Sequence, residues 1–282
     1  MHVQWFPGHM AKTKKMIQEQ IKLVDVVIEL VDARLPESSR NPLIDKLVGD
    51  KPRIIILNKE DLADPQRTAY WLKQYTGENQ RAIAFNATVG KKGLLNQLRE
   101  MMLELTEKKR ARMAQKGVKK ITIRCMIVGI PNVGKSTFIN ILVGKKSAKT
   151  GNKPGVTRGT QWIKLGEDID LLDTPGILWP KFDDEEVGFR LAISGAISDE
   201  VFDWEEGAYK LVQFLRKHYP KLLQERYKLT EEDFALEDYE LLEQMGRNRG
   251  CLLKGNVVDV NKIAKMVITE FRQGKIGRIT LE

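Results

Sequence analysis

Cysteine is nearly absent: Cys125 and Cys251 are the only two in 282 residues. One falls inside an apolar run and the other lies far along the chain, so a disulfide framework is not expected and a reducing cytoplasm is. Long apolar runs are missing as well. The best stretch, Leu23 to Val31, is interrupted by Asp25 and Glu29 and falls short of the ~18 to 20 apolar residues that a membrane-crossing helix needs. Lysines at 12, 14 and 15 have no apolar segment behind them, so no secretory leader is expected. Internal repeats and low-complexity segments are lacking too. Positive charge is plentiful: 47 Lys and Arg against 38 Asp and Glu, a formal net charge of +9 and a pI near 9.4. That balance favours a polyanionic partner, nucleic acid ahead of a membrane surface. Length and an ordinary share of apolar residues leave room for one nucleotide-binding domain and a smaller second one.

Residues 129–136 read Gly-Ile-Pro-Asn-Val-Gly-Lys-Ser. They fit the phosphate-loop pattern of glycine, four residues and Gly-Lys-Ser/Thr, after the strand-like run Ile123 to Val128 and before a helical run, Ser136 to Leu142. A strand must aim such a loop and a helix N-terminus must back it, so that amides and helix dipole face one anion. The expected ligand is a nucleoside triphosphate, cradled by Ile130, Pro131, Asn132, Val133, Gly134 and Thr137. Lys135 would reach the terminal phosphates and the Ser136 hydroxyl would ligate Mg2+.

A second motif names the base. Asn58-Lys59-Glu60-Asp61 follows the apolar run Arg53 to Leu57, where a strand of an open α/β sheet ends. The Asp61 carboxylate can accept from two adjacent donors, which guanine presents and adenine does not. Asn86 and Ala87, after the run Ala82 to Phe85, are placed to contact guanine O6. A third motif, Asp173-Thr174-Pro175-Gly176, ends the run Ile169 to Leu172. Asp173 would hold Mg2+ through water, Gly176 would sense the γ-phosphate, and Thr157, in the Gly- and Pro-rich segment 149–157, would add a hydroxyl ligand.

Further patterns predict a helix from about Lys12 to Ile21, a strand over Val24 to Val31, and a short helix starting at Ser38 or Ser39. A helix opening at Asp64-Pro65 is expected to run through Tyr75, and one long helix to span Gly93 to Arg112. Between Met101 and Lys120 lie seven Lys or Arg and two Glu, either a solvated face or a phosphate contact. From Asp183 onward the pattern turns helical: Gly188 to Ile193, Glu205 to Lys217, Glu231 to Met245 and Asn261 to Gln273, the last closed by Gly274. Arg247, Arg249, Lys254, Lys262, Lys265, Arg272, Lys275 and Arg278 are expected to give this end a basic side. The fold class is therefore α/β, with residues 1–180 a P-loop, Ras-like domain and 181–282 a smaller, all-α domain with a basic side suited to RNA.

Motif order is unusual. The guanine motif precedes the phosphate loop, so the Ras-like order is circularly permuted, which a sheet tolerates when the old termini lie close together. With these residues assembled, the chain resembles the circularly permuted GTPases of the YlqF family, on Trp5 to Met10, Asp32-Ala33-Arg34, Asn58 to Asp61, Gly129 to Ser136, Pro154 to Thr157, Asp173 to Pro180 and the helical tail. The resemblance implies a bacterial cytoplasmic factor that binds the precursor of the large ribosomal subunit and its rRNA, with GTP hydrolysis stimulated by that particle. The factor is expected to be a monomer off the ribosome and not to bind membrane. Ras-like enzymes orient the attacking water with a glutamine where this chain has Leu178, after Ile177; the family's candidate is His9, whose other reading is a cap on the N-terminal turn. By the same resemblance Asn132 would hold K+ beside the phosphates. The competing function is a GTP-dependent protein- or membrane-binding switch that does not act on ribosomes.

Overall fold

The computed structural model describes residues 15–87, 93–119, 121–144, 161–174, 184–197, 199 and 202–282. Two units can be separated, Met1–Asp183 with Glu282, and Asp184–Leu281.

The first unit is built on a six-stranded sheet of β1 (Val26–Asp32), β2 (Arg53–Asn58), β3 (Gln80–Phe85), β4 (Ile123–Gly129), β5 (Gln161–Leu165) and β6 (Ile169–Asp173), in the order β3-β2-β1-β4-β6-β5. All neighbours are parallel except β5 and β6, which pair as a hairpin. β1 and β2 are buried along their whole length, as Val- and Ile-rich strands covered on both faces are. Helices α1 (15–21) and α2 (Pro42–Val48) supply Ile17, Ile21, Ile44 and Val48 to a cluster with Val27, Met126, Val128 and Leu172. One charge interrupts the strand: Glu29 is 1% exposed and is met by Arg53 at 3.1 Å and Arg40 at 3.3 Å. Among the described residues no helix is long and apolar enough to cross a membrane.

Helix α3 (Pro65–Gln74) starts where its chemistry says, with Asp64 accepting from the amides of Gln66 and Arg67 and proline in the first turn. Other boundaries moved. Neither Ser38 nor Ser39 caps α2; both are buried, the Ser39 hydroxyl accepts from the Asp32 amide at 2.9 Å, and Asn41 caps the helix. The long helix expected from Gly93 is two, α4 (Leu94–Leu105) and α5 (Glu107–Gln115). Between them Thr106 is buried and donates its hydroxyl to the Met102 carbonyl at 2.7 Å, a back-bond that bends helices. Helix α6 (Lys135–Val143) follows β4 through the phosphate loop.

The second unit contains α7 (Glu185–Ser194), α8 (Trp204–His218), α9 (Pro220–Tyr227), α10 (Asp238–Asn248) and α11 (Val260–Arg272). α9 had no counterpart in the sequence reading, although Pro220 stands in its first turn. The helix expected from Glu231 is a short 3-10 turn, Glu232–Ala235, followed by α10, which opens with a reciprocal bond pair between Glu237 and Glu240. Gly274, at φ 70°, closes α11 as expected, with the Lys275 amide reaching the Glu270 carbonyl at 2.8 Å. Two of the cations expected on a basic side are spent internally. Arg249 and Arg226 hold Glu270, which also accepts from the Tyr227 hydroxyl at 2.9 Å, and Arg272 donates to the last carbonyls of α7 and to Asp199. Lys254, Lys262, Lys265 and Lys275 stay exposed.

Candidate nucleotide site

Five parallel strands end at one edge of the sheet, and the winding reverses between β1 and β4, so the crevice there is the expected ligand position. Register places Asp32 opposite Asn58 and Asn58 opposite Phe85, while Ile127, two residues before the loop, lies opposite Asp173. The three motifs, separated by up to 115 residues of sequence if counted from Asn58 to Asp173, meet at this edge.

In the phosphate loop, Gly129 faces the backbone of β1 so closely that a Cβ would lie 2.7 Å from the Leu30 carbonyl oxygen. Asn132 is left-handed at φ 58° and Gly134 at φ 101°, the second a conformation that favours glycine. Ile130, Pro131 and Val133 are buried, Ser136 is half-buried in the first turn of α6, and Thr137 is exposed. Lys135 is buried and curls back over the loop, donating to the carbonyls of Gly129 and Ile130 at 3.0 Å each. Burial pulls its ammonium down to about 8, against the opposing pull of Asp173. Asp173 is itself pushed up by burial, resisted by Lys135 and the Thr174 amide.

Asn58 joins the guanine motif to the loop. Its side-chain amide donates to the Val133 carbonyl at 2.6 Å, its Oδ1 is buried with no partner among the described residues, and a Cβ on Gly134 would overlap its nitrogen. Lys59 turns left-handed at φ 60° and reaches Asp32 Oδ2 at 2.8 Å. Asp61 lies in the 3-10 turn that follows, Glu60–Leu62, half-buried. Asn86 and Ala87 follow β3, whose last residue, Phe85, packs edge-on against Phe138 of α6 at 5.1 Å. His9, Thr157 and Gly176 lie outside the described residues.

One group of residues was missed as a site. Asp32 is buried and takes Arg34 through both oxygens, at 2.9 Å from Nε and 2.8 Å from Nη2, besides Lys59. Burial alone would favour its neutral form; the charges of Arg34 and Lys59 outweigh this and hold the carboxyl far below the usual range. Asp32 thereby anchors the lysine of the guanine motif from the next strand. The visible signal was an acid at the end of an apolar strand with an arginine two residues on.

A family model described as 50S ribosome-binding GTPase matches residues 124–244. Over 285 aligned residues the chain is 51% identical to a Priestia megaterium protein named ribosome biogenesis GTPase A, covering 100% of this chain and 97% of the relative. A Bacillus cereus protein of the same name is 49% identical over 100% of this chain and 94% of its own length. Among solved structures, GDP-bound TM YlqF superposes with a TM-score of 0.68 at 28% identity, over 95% of this chain and 98% of the other. GNP-bound YlqF from T. maritima gives 0.64 at 29% identity, over 96% and 97%.

Proposed function

The chain belongs to the ribosome biogenesis GTPase A family, and from that premise we propose that it is an assembly factor for the large ribosomal subunit, binding precursor particles and their rRNA in the GTP state and leaving after hydrolysis. It is a GTPase of ribosome biogenesis, turning GTP and water into GDP and phosphate. The observation that carries the nucleotide chemistry is the Asn58 bond to Val133, which makes base-reading and phosphate-holding segments one wall.

In this reading the Lys135 ammonium leaves the two loop carbonyls for the β- and γ-phosphates, and the amides from Ile130 to Thr137 enclose them with the α6 dipole behind. Asn58, Lys59 and Asp61 hold guanine, with Asn86 and Ala87 at its O6. Asp173 suits a hard cation: it is a buried carboxylate that accepts no side-chain hydrogen bond shown among the described residues, with the Lys135 charge acting on it, and Ser136 offers a hydroxyl oxygen in the first turn after the loop. Ser136, Thr157 and, through water, Asp173 would hold Mg2+, with Asn132 the ligand for K+. When bound, Mg2+ neutralises charge on the β- and γ-phosphate oxygens. His9 orients the attacking water, a role that neither Ile177 nor Leu178 can fill by hydrogen bonding, and Gly176 reports loss of the γ-phosphate. The second unit, with its exposed lysines, contacts rRNA, and the protein works as a cytoplasmic monomer between particles.

Sedimentation with purified large and small subunits and large-subunit precursors, in a non-hydrolysable GTP analogue, GDP or no nucleotide, tests the reading. Retention on large-subunit particles, strongest with the analogue, is expected. Loss of retention on every particle in every nucleotide state would remove the assembly role and leave the GTPase.

A further inference from the structure

The opposite edge of the sheet, where β1 and β4 begin, carries a concentration of positive charge that the nucleotide chemistry does not use. A cleft of about 500 Å³ is lined there by Lys22, Asp25, Lys109, Arg110 and Arg124. Asp25 is the one carboxylate among these, and it is already engaged, accepting from the Arg124 amide at 2.9 Å and from Lys109. Lys51 adds a fifth cation in an adjoining hollow that shares Asp25 and Lys109. Burial and then the Lys109 charge lower the affinity of Lys51 for its proton, against the pull of Asp25, as crowded like charges do. Arg110 donates to the Leu103 carbonyl at 2.9 Å, but its Nε is buried with no partner among the described residues. Outside the lining, Trp162 on the edge strand β5, level with Leu172, is 45% exposed and lies under the Arg124 guanidinium, 5.7 Å from the ring centre, so Arg124 links the cleft to an indole.

Five cations around one acid repel one another; the Val24 and Leu103 carbonyls that take Lys51 and Arg110 offset part of this, and an external anion would offset the rest. Next to the cleft stands a half-exposed indole beside a guanidinium, the pairing on which a nucleobase stacks. An acidic peptide has use for the cations and none for the indole. We propose that this cleft is an RNA-binding surface of the first unit, in which the cations hold consecutive phosphates of the sugar-phosphate backbone and Trp162 receives a base. The assignment rests on the ribosomal reading above and adds a contact site that runs from the edge where β1 and β4 begin, through Arg124, to Trp162.

The test measures binding of the whole protein, loaded with a GTP analogue, to purified large-subunit rRNA and to the particle over a salt series. Lys22→Gln/Lys109→Gln is compared with a charge-matched control, Lys46→Gln/Lys73→Gln, whose lysines are exposed on α2 and α3. Each lost phosphate contact lowers the log–log salt slope by about 0.7, so the cleft variant should lose about 1.4 relative to parent and the control nothing. Trp162→Ala should weaken rRNA binding about tenfold with the slope retained, because stacking is not ionic. GTP affinity and turnover without particle should match the parent in all three. A cleft variant that binds with the control's slope and affinity overturns the proposal while leaving the assembly role intact. Loss of particle binding with rRNA binding unchanged also overturns it, in favour of an acidic protein. A parent that binds neither rRNA nor particle overturns both the assembly role and this surface.

Discussion

Asp61 and Lys135 are the residues whose atoms make the sharpest demands. An Asp61 carboxylate offers acceptors alone, whereas an amide in its place offers one acceptor and one donor. Asp61→Asn should therefore lose GTP and gain xanthosine triphosphate, whose 2-oxo group matches the new donor; competition binding with both nucleotides checks this, and unchanged GTP preference would place the base elsewhere. For Lys135 the sign follows from burial. Its free-state value is depressed from 10.5 to about 8, and a polyphosphate stabilises the charged form, so binding raises it. Affinity for GTP should be full below pH 8 and fall by up to tenfold per unit above it. Calorimetry at pH 8.5 in buffers of different ionisation enthalpy should register proton uptake, and none would mean that Lys135 is already charged through other contacts. Asn58, Lys59, Gly134 and Lys135 were legible because each is a chemical type at a known spacing. Asp32 was not, since its partner Lys59 is reached only through strand pairing.

Elements obeyed local chemistry where it was unopposed. Asp64-Pro65 and Gly274 stand where their capping preferences place them, while the helix start expected at Ser39 and the unbroken helix expected through Thr106 failed because each of these residues spends its hydroxyl on a tertiary or back-bonded partner. The α10–α11 contact gives a test in which two effects oppose. A Cβ at Gly246 would lie 2.7 Å from Val258 Cγ1 and 3.4 Å from Ile263 Cγ2. Overpacking costs ~1–3 kcal/mol, and Ala in place of Gly returns about 1 kcal/mol of helix propensity. Val258 is stiff and tied down by its bridge to Leu252, so the clash should win. Gly246→Ala should lower the thermal midpoint by several degrees, measured by calorimetry; a raised midpoint would show that Val258 yields. Glu270 belongs to the same unit, and its carboxyl is held below its ordinary value: burial opposes this, and the bonds from Arg226 and Tyr227 prevail. Its contribution is present above the ordinary carboxyl range and is lost as pH falls through it, so Glu270→Gln should flatten the acid limb of the stability curve.

For the whole molecule, the decisive feature is that the chain reaches β2 and its guanine motif before β4 and its phosphate loop, yet the sheet order keeps the two beside β1. Permutation leaves the site unchanged because the site is a set of strand ends, whatever loops join them. In the proposed function, activation by a particle would be a property of the assembled system. His9→Ala should bind GTP as the parent does and lose most particle-stimulated turnover; stimulated rates equal to the parent's would assign His9 to the N-terminal turn. Motifs, caps and apolar runs act over a few residues, so nucleotide class, base, parallel strands and the starts of α3, α4, α6, α8 and α11 could be read in order along the chain. Folding alone decided which charges are spent inside, as with Asp32, Glu29 and Glu270, and which are left facing water, as around Asp25. Coulomb energy depends on distance and burial, and neither is a property of sequence position.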